Sequence, residues 1–212
     1  MTDLLSHLVD APRFPVLVPE FMPIVFLDFL REAGFELQVL GADVFHVEKL
    51  IIPEMKTPEW NIDKVKKVRT FLKNLYPKLF YQEKKSQERI YVSRKLAVKG
   101  HLTNEDDFLG VLEKHEFQKV YLEQMSIREQ VELFSSTSHV IGAHGAGLTN
   151  VIFAPFDVKI LEIRPLLNSG QFCFENLFSL CWPNNEFLVP SKSGKFILPV
   201  AALEEVLLRW QG

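Results

Sequence analysis

Two hydrophobic patterns alternate along this chain, short β-rich runs and longer stretches with helical spacing. Pro15 to Pro19 (PVLVP) is an apolar run bounded by prolines and predicts a buried strand. Phe21 to Ala33 follows with helical spacing and stops at Gly34, a residue suited to the left-handed turn that closes a helix. Leu37 to Leu40 and Val44 to Ile52 read as two further strands with a turn at Gly41 between them. Asn61 is placed to cap a helix carrying Ile62, Val65, Val68, Leu72 and Leu75 on one side. Its other side bears Lys64, Lys66, Lys67 and Lys73, a pattern read as a solvated face.

The polar stretch Gln82 to Glu88 breaks the alternation and reads as a linker or long surface loop. Residues 1–85 and 86–212 are therefore expected to form two units. Beyond the break, Arg89 to Ser93 predicts a strand, and Asn104 caps a helix with Phe108, Val111 and Leu112 inward. Lys119 to Leu122 makes the next strand. Ser126-Ile127-Arg128-Glu129 has the form of a capping box, opening a helix through Val131 and Phe134. His139 to Gly142 is a strand that runs into a glycine-rich turn, with a helix starting near Leu148. Val158 to Ile163 reads as a strand, and Phe172 to Leu180 and Leu203 to Trp210 as helices. Such alternation favours right-handed crossovers and a parallel, doubly wound α/β sheet.

Composition narrows the functional classes. At 212 residues, 47% hydrophobic and 24% charged, the chain is expected to pack a core. A net charge of -3 gives no general reason to bind nucleic acid, so any anion site must be local. The only cysteines, Cys173 and Cys181, would sit about 12 Å apart along a helix, too far to bridge, and read as small apolar residues. No apolar run reaches the roughly 18 residues that span a bilayer. The start of the chain lacks the basic and apolar regions of a signal peptide, so a cytoplasmic setting, at most peripheral to a membrane, is expected.

The candidate chemistry gathers around Gly142-Ala143-His144-Gly145-Ala146-Gly147-Leu148-Thr149-Asn150. In open α/β sheets ligands lie beyond the carboxyl ends of strands. Glycines at 142, 145 and 147 allow close backbone approach and positive φ. The amides opening the next helix form a cradle for phosphate, with Thr149 and Asn150 as side-chain donors. The spacing is neither GxGxxG nor GxxxxGK[ST], so the dinucleotide fingerprint and the P-loop are both absent. Nothing in such a turn requires a histidine, which marks His144 as functional. Arg94, just past a strand end, can hold a diphosphate bidentately. Glu162 lies in an apolar strand and needs a partner, for which a ribose diol, Arg164 or a backbone amide would each serve. An α/β-hydrolase would need a GxSxG elbow, which the chain lacks. A purely structural interaction module does not account for so many polar residues at one sheet edge.

Arg89-Ile90-Tyr91-Val92-Ser93-Arg94, Asn104-Glu105, Ser126 with Glu129-Gln130, HGAGLTN from His144, and Glu162-Ile163 with Pro165 occur in this order. Together they resemble glycosyltransferase family 61, over about residues 89–165. The resemblance implies a GT-B-like fold, with a doubly wound Rossmann-like C-terminal domain at residues 86–212. A partial N-terminal, acceptor-side α/β domain at 1–85 would precede it. It implies inverting transfer from a nucleotide sugar, UDP-linked as is usual in the family, to a glycan or polysaccharide acceptor, with no essential metal or other cofactor. By position, Arg94 and His144 would contact the donor diphosphate, Gly145, Ala146, Gly147, Leu148, Thr149 and Asn150 would supply amides and polar groups, and Glu162 would sit near the ribose. The chain departs from the family at Gly100 and His101, where arginines are common. Leu4 to Leu17 resembles sequence that follows an acceptor-side histidine motif, so the chain is expected to begin partway through that domain. Asp28, Asp43 and His46 read as structural, which leaves the general base unassigned. The competing expectation is a truncated relative that binds a nucleotide sugar without transferring it.

Overall fold

The computed structural model describes residues 8–9, 14–52, 62–81, 88–97, 102–164, 177–179, 181–182, 185–188 and 197–211. The cap expected at Asn61, nearly all of the linker at 82–88, Gly100, His101, Pro165, Cys173 and most of the helix expected at Phe172 to Leu180 lie outside them. In chain order the strands are β1 (Val16–Pro19), β2 (Leu37–Leu40), β3 (Glu88–Val92), β4 (Gln118–Val120), β5 (Thr137–Ala143), β6 (Lys159–Ile163) and β7 (Asn185–Leu188). The helices are α1 (Ile24–Glu32), α2 (Ile62–Leu75), α3 (Pro77–Tyr81), α4 (Glu105–Lys114), α5 (Ile127–Ser136) and α6 (Val200–Arg209). Among the described residues, β1 and β2 pair as one parallel sheet, and a second parallel sheet has the order β4-β3-β5-β6-β7.

Both faces of the larger sheet are covered, which is why its strands read as nearly continuous apolar runs. Successive side chains alternate between the faces. Ile90, Val92, Val140 and Ile160 join a core shared with Val131 and Phe134 of α5. Tyr91, Ile141, Leu161 and Ile163 join another, with Phe108 and Leu112 of α4 and Leu203, Val206 and Leu207 of α6. The first core continues into the N-terminal segment through Leu27, Phe29 and Leu30 of α1 and Val65, Val68 and Leu72 of α2. Arg69 of α2 tightens that junction: Nη1 donates to the carbonyls of Ile152 (2.7 Å) and Ala154 (2.5 Å), and its guanidinium lies 4.3 Å from the Phe156 ring centroid.

Local sequence accounts for several boundaries. Gly34 follows α1 with φ +84°, the left-handed turn expected there, and Phe35 N–H reaches back to Leu30 O at 3.0 Å. The helix itself begins at Ile24, after Pro23. The Ser126–Glu129 capping box forms at α5. Asn104 precedes α4 but does not cap it through its side chain. That amide instead bonds both backbone groups of Leu198, tying α4 to the segment before α6.

Two strand assignments differ from the sequence reading. Val44 to Ile52 is not a strand: among the described residues β2 pairs only with β1. Residues 41–52 are exposed, and Phe45 to Lys49 line a shallow cleft with Leu17, Gln38 and Leu40. Strand-like composition without a neighbouring edge does not make a strand. Conversely β7 was not anticipated, because Asn185-Glu186-Phe187-Leu188 is half polar and half-buried. Cys181 is a free thiol, and burial pushes its pKa up, as for a small apolar residue.

At the amino end of β5, His139 is buried beside Trp210 and Phe117. Burial, then the charges of Arg89 and Lys159, push its pKa down to about 4. The unfolded chain takes up this proton near 6.5. The stability this group contributes is therefore complete above about 6.5 and lost as pH falls toward about 4. His139→Phe should flatten the acid side of the melting-temperature profile between pH 7 and 4.5. An unchanged acid slope would contradict this.

Candidate functional site

The strand order positions the candidate site. From β3 the chain passes to β4 on one side, then returns to place β5 on the other side of β3. Ligands of doubly wound sheets bind at such a reversal, beyond the strand carboxyl ends. The register then aligns Val92 of β3, Gly142 of β5 and Glu162 of β6 across the sheet. Two residues beyond each in the chain lie Arg94, His144 and Arg164, so a basic residue follows the carboxyl end of each of three adjacent strands.

Ser93 anchors the turn that carries Arg94. Its hydroxyl lies 2.8 and 3.0 Å from the two Glu105 oxygens and accepts from Lys95 N–H at 3.1 Å. Glu105 is buried at the start of α4 and pairs with Lys119 Nζ at 2.5 Å. Burial and the same Glu105 carboxylate hold the Tyr91 phenol protonated well above its ordinary range.

The glycines are required for space, not for positive φ. Gly145 is extended (φ 164°), and the expected left-handed φ does not occur at 142, 145 or 147. A methyl at Gly145 would fall on the Arg94 guanidinium. At Gly142 it would come within 2.8 Å of Leu148 Cδ2, and at Gly147 within 3.0 Å of Leu122 Cδ1. Arg94 therefore packs on the bare backbone of the turn.

The turn leads into a 3-10 helix, Ala146–Phe153, where an α-helix was expected, and Leu148 N–H bonds Gly145 O at 3.0 Å. Its opening amides still precede any intrahelical partner. The expected site residues separate into two groups. Arg94, His144, Gly145, Ala146, Gly147 and Thr149 keep partial or full exposure. Thr149 Oγ1 donates to Ala146 O at 2.5 Å. Leu148 is in the core, and the buried Asn150 amide donates to Gln130 Oε1 at 2.6 Å. Gln130 in turn donates to the carbonyls of Leu122 and Met125, so this network braces the turn from below.

Glu162 is 0% exposed, and both of its oxygens have protein partners. Oε1 lies 2.6 Å from His144 Nδ1, and Arg164 Nε donates to Oε2 at 2.8 Å. Arg164 also stacks on the Phe187 ring of β7, 3.3 Å from its centroid. Sequence reasoning offered Arg164 as one partner for Glu162 and quoted Ser93 and Gln130 within the family's motifs, but assigned no role to Ser93, Lys119, Gln130 or Arg69. Ser93, Lys119 and Arg69 bond residues 12 or more positions away, and Gln130 accepts from Asn150, 20 positions on, beyond the reach of local spacing. Arg94, His144, Arg164 and the amides of the turn together suit a multiply charged oxyanion.

The sequence profile described as Glycosyltransferase 61 matches residues 1–161. An EGF domain-specific O-linked N-acetylglucosamine transferase of Drosophila melanogaster is 28% identical over 138 residues, covering 59% of this chain and 26% of the fly protein. Beta-1,2-xylosyltransferase RCN11 of Oryza sativa subsp. japonica is 51% identical over 39 residues, 18% of this chain and 7% of that protein. The chain thus spans about a quarter or less of these relatives' lengths. With the profile matching well over half of its residues, the chain belongs to glycosyltransferase family 61.

Proposed function

We propose that the crevice between β3 and β5 binds the diphosphate of a nucleotide-sugar donor, with UDP as the nucleotide. On this reading the chain is the donor-binding part of an inverting GT-B glycosyltransferase acting on a glycan or polysaccharide acceptor. Residues 1–85 would form the acceptor-side unit and 86–212 the donor-side unit. The observation that supports this reading is the Arg94 guanidinium packed against Gly145, the residue after His144, at the carboxyl ends of the adjacent strands β3 and β5. Arg94 supplies a planar fork for phosphate oxygens, and the amides of Gly145, Ala146 and Gly147 supply backbone donors. Thr149 lies at the edge of the same turn. Leu148, Asn150 and Glu162 support the site from within. In the transfer step, fixed positive charge and oriented amides stabilise the departing UDP, so no metal is needed to hold it.

Calorimetric titration of UDP into the full chain should give saturable binding that is the same in magnesium and in EDTA. Loss of binding in EDTA would remove the metal-free part of the reading, and no binding in either would remove the reading itself. Gly145→Ala is a finer test. Its methyl displaces the Arg94 guanidinium, a flexible group, so the fold should survive while UDP affinity drops about tenfold. In an Arg94→Ala background the same change should add little. Full additivity would show that Gly145 serves some other purpose.

A further inference from the structure

The geometry points to Glu162 as a positioning residue that fixes the tautomer and orientation of His144. The functional half of this inference rests on the donor-site reading; the tautomer itself does not. A carboxylate is acceptor-only, so its 2.6 Å contact with Nδ1 places the ring proton on Nδ1. Glu162 is wholly enclosed, and Arg164 donates to its other oxygen from a guanidinium stacked on Phe187. Arg164 is fixed in turn by its backbone N–H, which bonds Leu188 O at 2.8 Å. The backbone of His144 is held in the same way by Ile163 O at 2.8 Å. The chain Phe187–Arg164–Glu162–His144 thus runs from the sheet edge to the crevice.

A buried carboxylate needs a cation, and Arg164 already supplies one. The second bond goes to a ring whose side chain is 18% exposed at the mouth of the site. Its consequence is an imidazole held in one orientation before ligand arrives. Pre-ordering of this kind strengthens binding by removing the cost of ordering the ring on association.

The test is a long-range proton–nitrogen correlation spectrum of the histidine rings, with His144 assigned by its loss in His144→Gln. Wild-type protein without UDP should show His144 protonated at Nδ1. A ring protonated at Nε2 alone would overturn the inference, whatever UDP does. Glu162→Gln should mix the tautomers and weaken UDP about tenfold. If the single variant does not fold, the double variant Glu162→Gln with Arg164→Met, which leaves no unpaired buried charge, should mix the tautomers in the same way. A folded variant with altered tautomer but unchanged UDP affinity would overturn the positioning role. Absence of UDP binding by the wild type would strike the donor-site reading instead, leaving the tautomer result to stand alone.

Discussion

Arg94→Ala should weaken UDP binding by about 30- to 100-fold, the largest functional effect expected of any single substitution in this chain. Ser93 holds the turn through Glu105, and the guanidinium packs flat on Gly145, so its orientation is set before ligand arrives. A fork in that position can take two phosphate oxygens at once, and hydrogen bonds to charged groups are among the strongest in proteins. Arg94→Lys keeps the charge and loses the fork, so it should recover only part of the loss. The fold should tolerate both changes, because Arg94 contributes to the crevice and not to either apolar core. Equal affinity for wild type and Arg94→Ala would remove this residue from the site.

Arg69→Ala should cost about 3 kcal/mol of stability and lower the melting temperature by roughly 6–12 °C. Two carbonyls at the end of the 3-10 helix, Ile152 O and Ala154 O, accept from this one guanidinium group. Both residues are buried, so the carbonyls would lose their donor without gaining water. The stacking on Phe156 would be lost as well. Arg69 lies in α2, while the 3-10 helix continues the glycine-rich turn, so UDP affinity should fall along with stability. Arg69→Lys, able to reach one carbonyl, should fall between. A melting temperature within about 2 °C of wild type would show that the clamp is not a main tie between the two segments.

The parts of this molecule legible in its sequence are those specified by neighbouring residues. Strands β3, β5 and β6 are buried on both faces and spell themselves as apolar runs. Gly34 closes α1 and Ser126 opens α5 through contacts within a single turn of chain. The glycine-rich turn after β5 was also visible, as was the need of Glu162 for a partner. Contacts between distant segments were not visible. Gly145 looked like a conformational glycine and proved to be a spatial one, because its neighbour is Arg94, 51 positions earlier in the chain. Asn150 reads as a ligand donor from its place in the turn, and its burial and its bond to Gln130 come from distant segments. The apolar run at Val44 to Ile52 carries strand composition but has no partner edge among the described residues, whereas β7 forms with half-polar residues because β6 offers one. Propensity names candidates; pairing decides among them.

The central claim is that the amides and cations at the β3–β5 switch point hold a nucleotide diphosphate. The most direct measurement is a UDP titration of the full chain followed by backbone amide shifts. Saturable changes are expected, with Kd below about 1 mM, largest at Gly145, Ala146 and Gly147 and accompanied by the Arg94 Nε–H. The amides of Thr137, Ser138 and His139, at the opposite end of β5, should stay still. No saturable change up to several times that concentration, or changes centred on the amino ends of the strands, would contradict it.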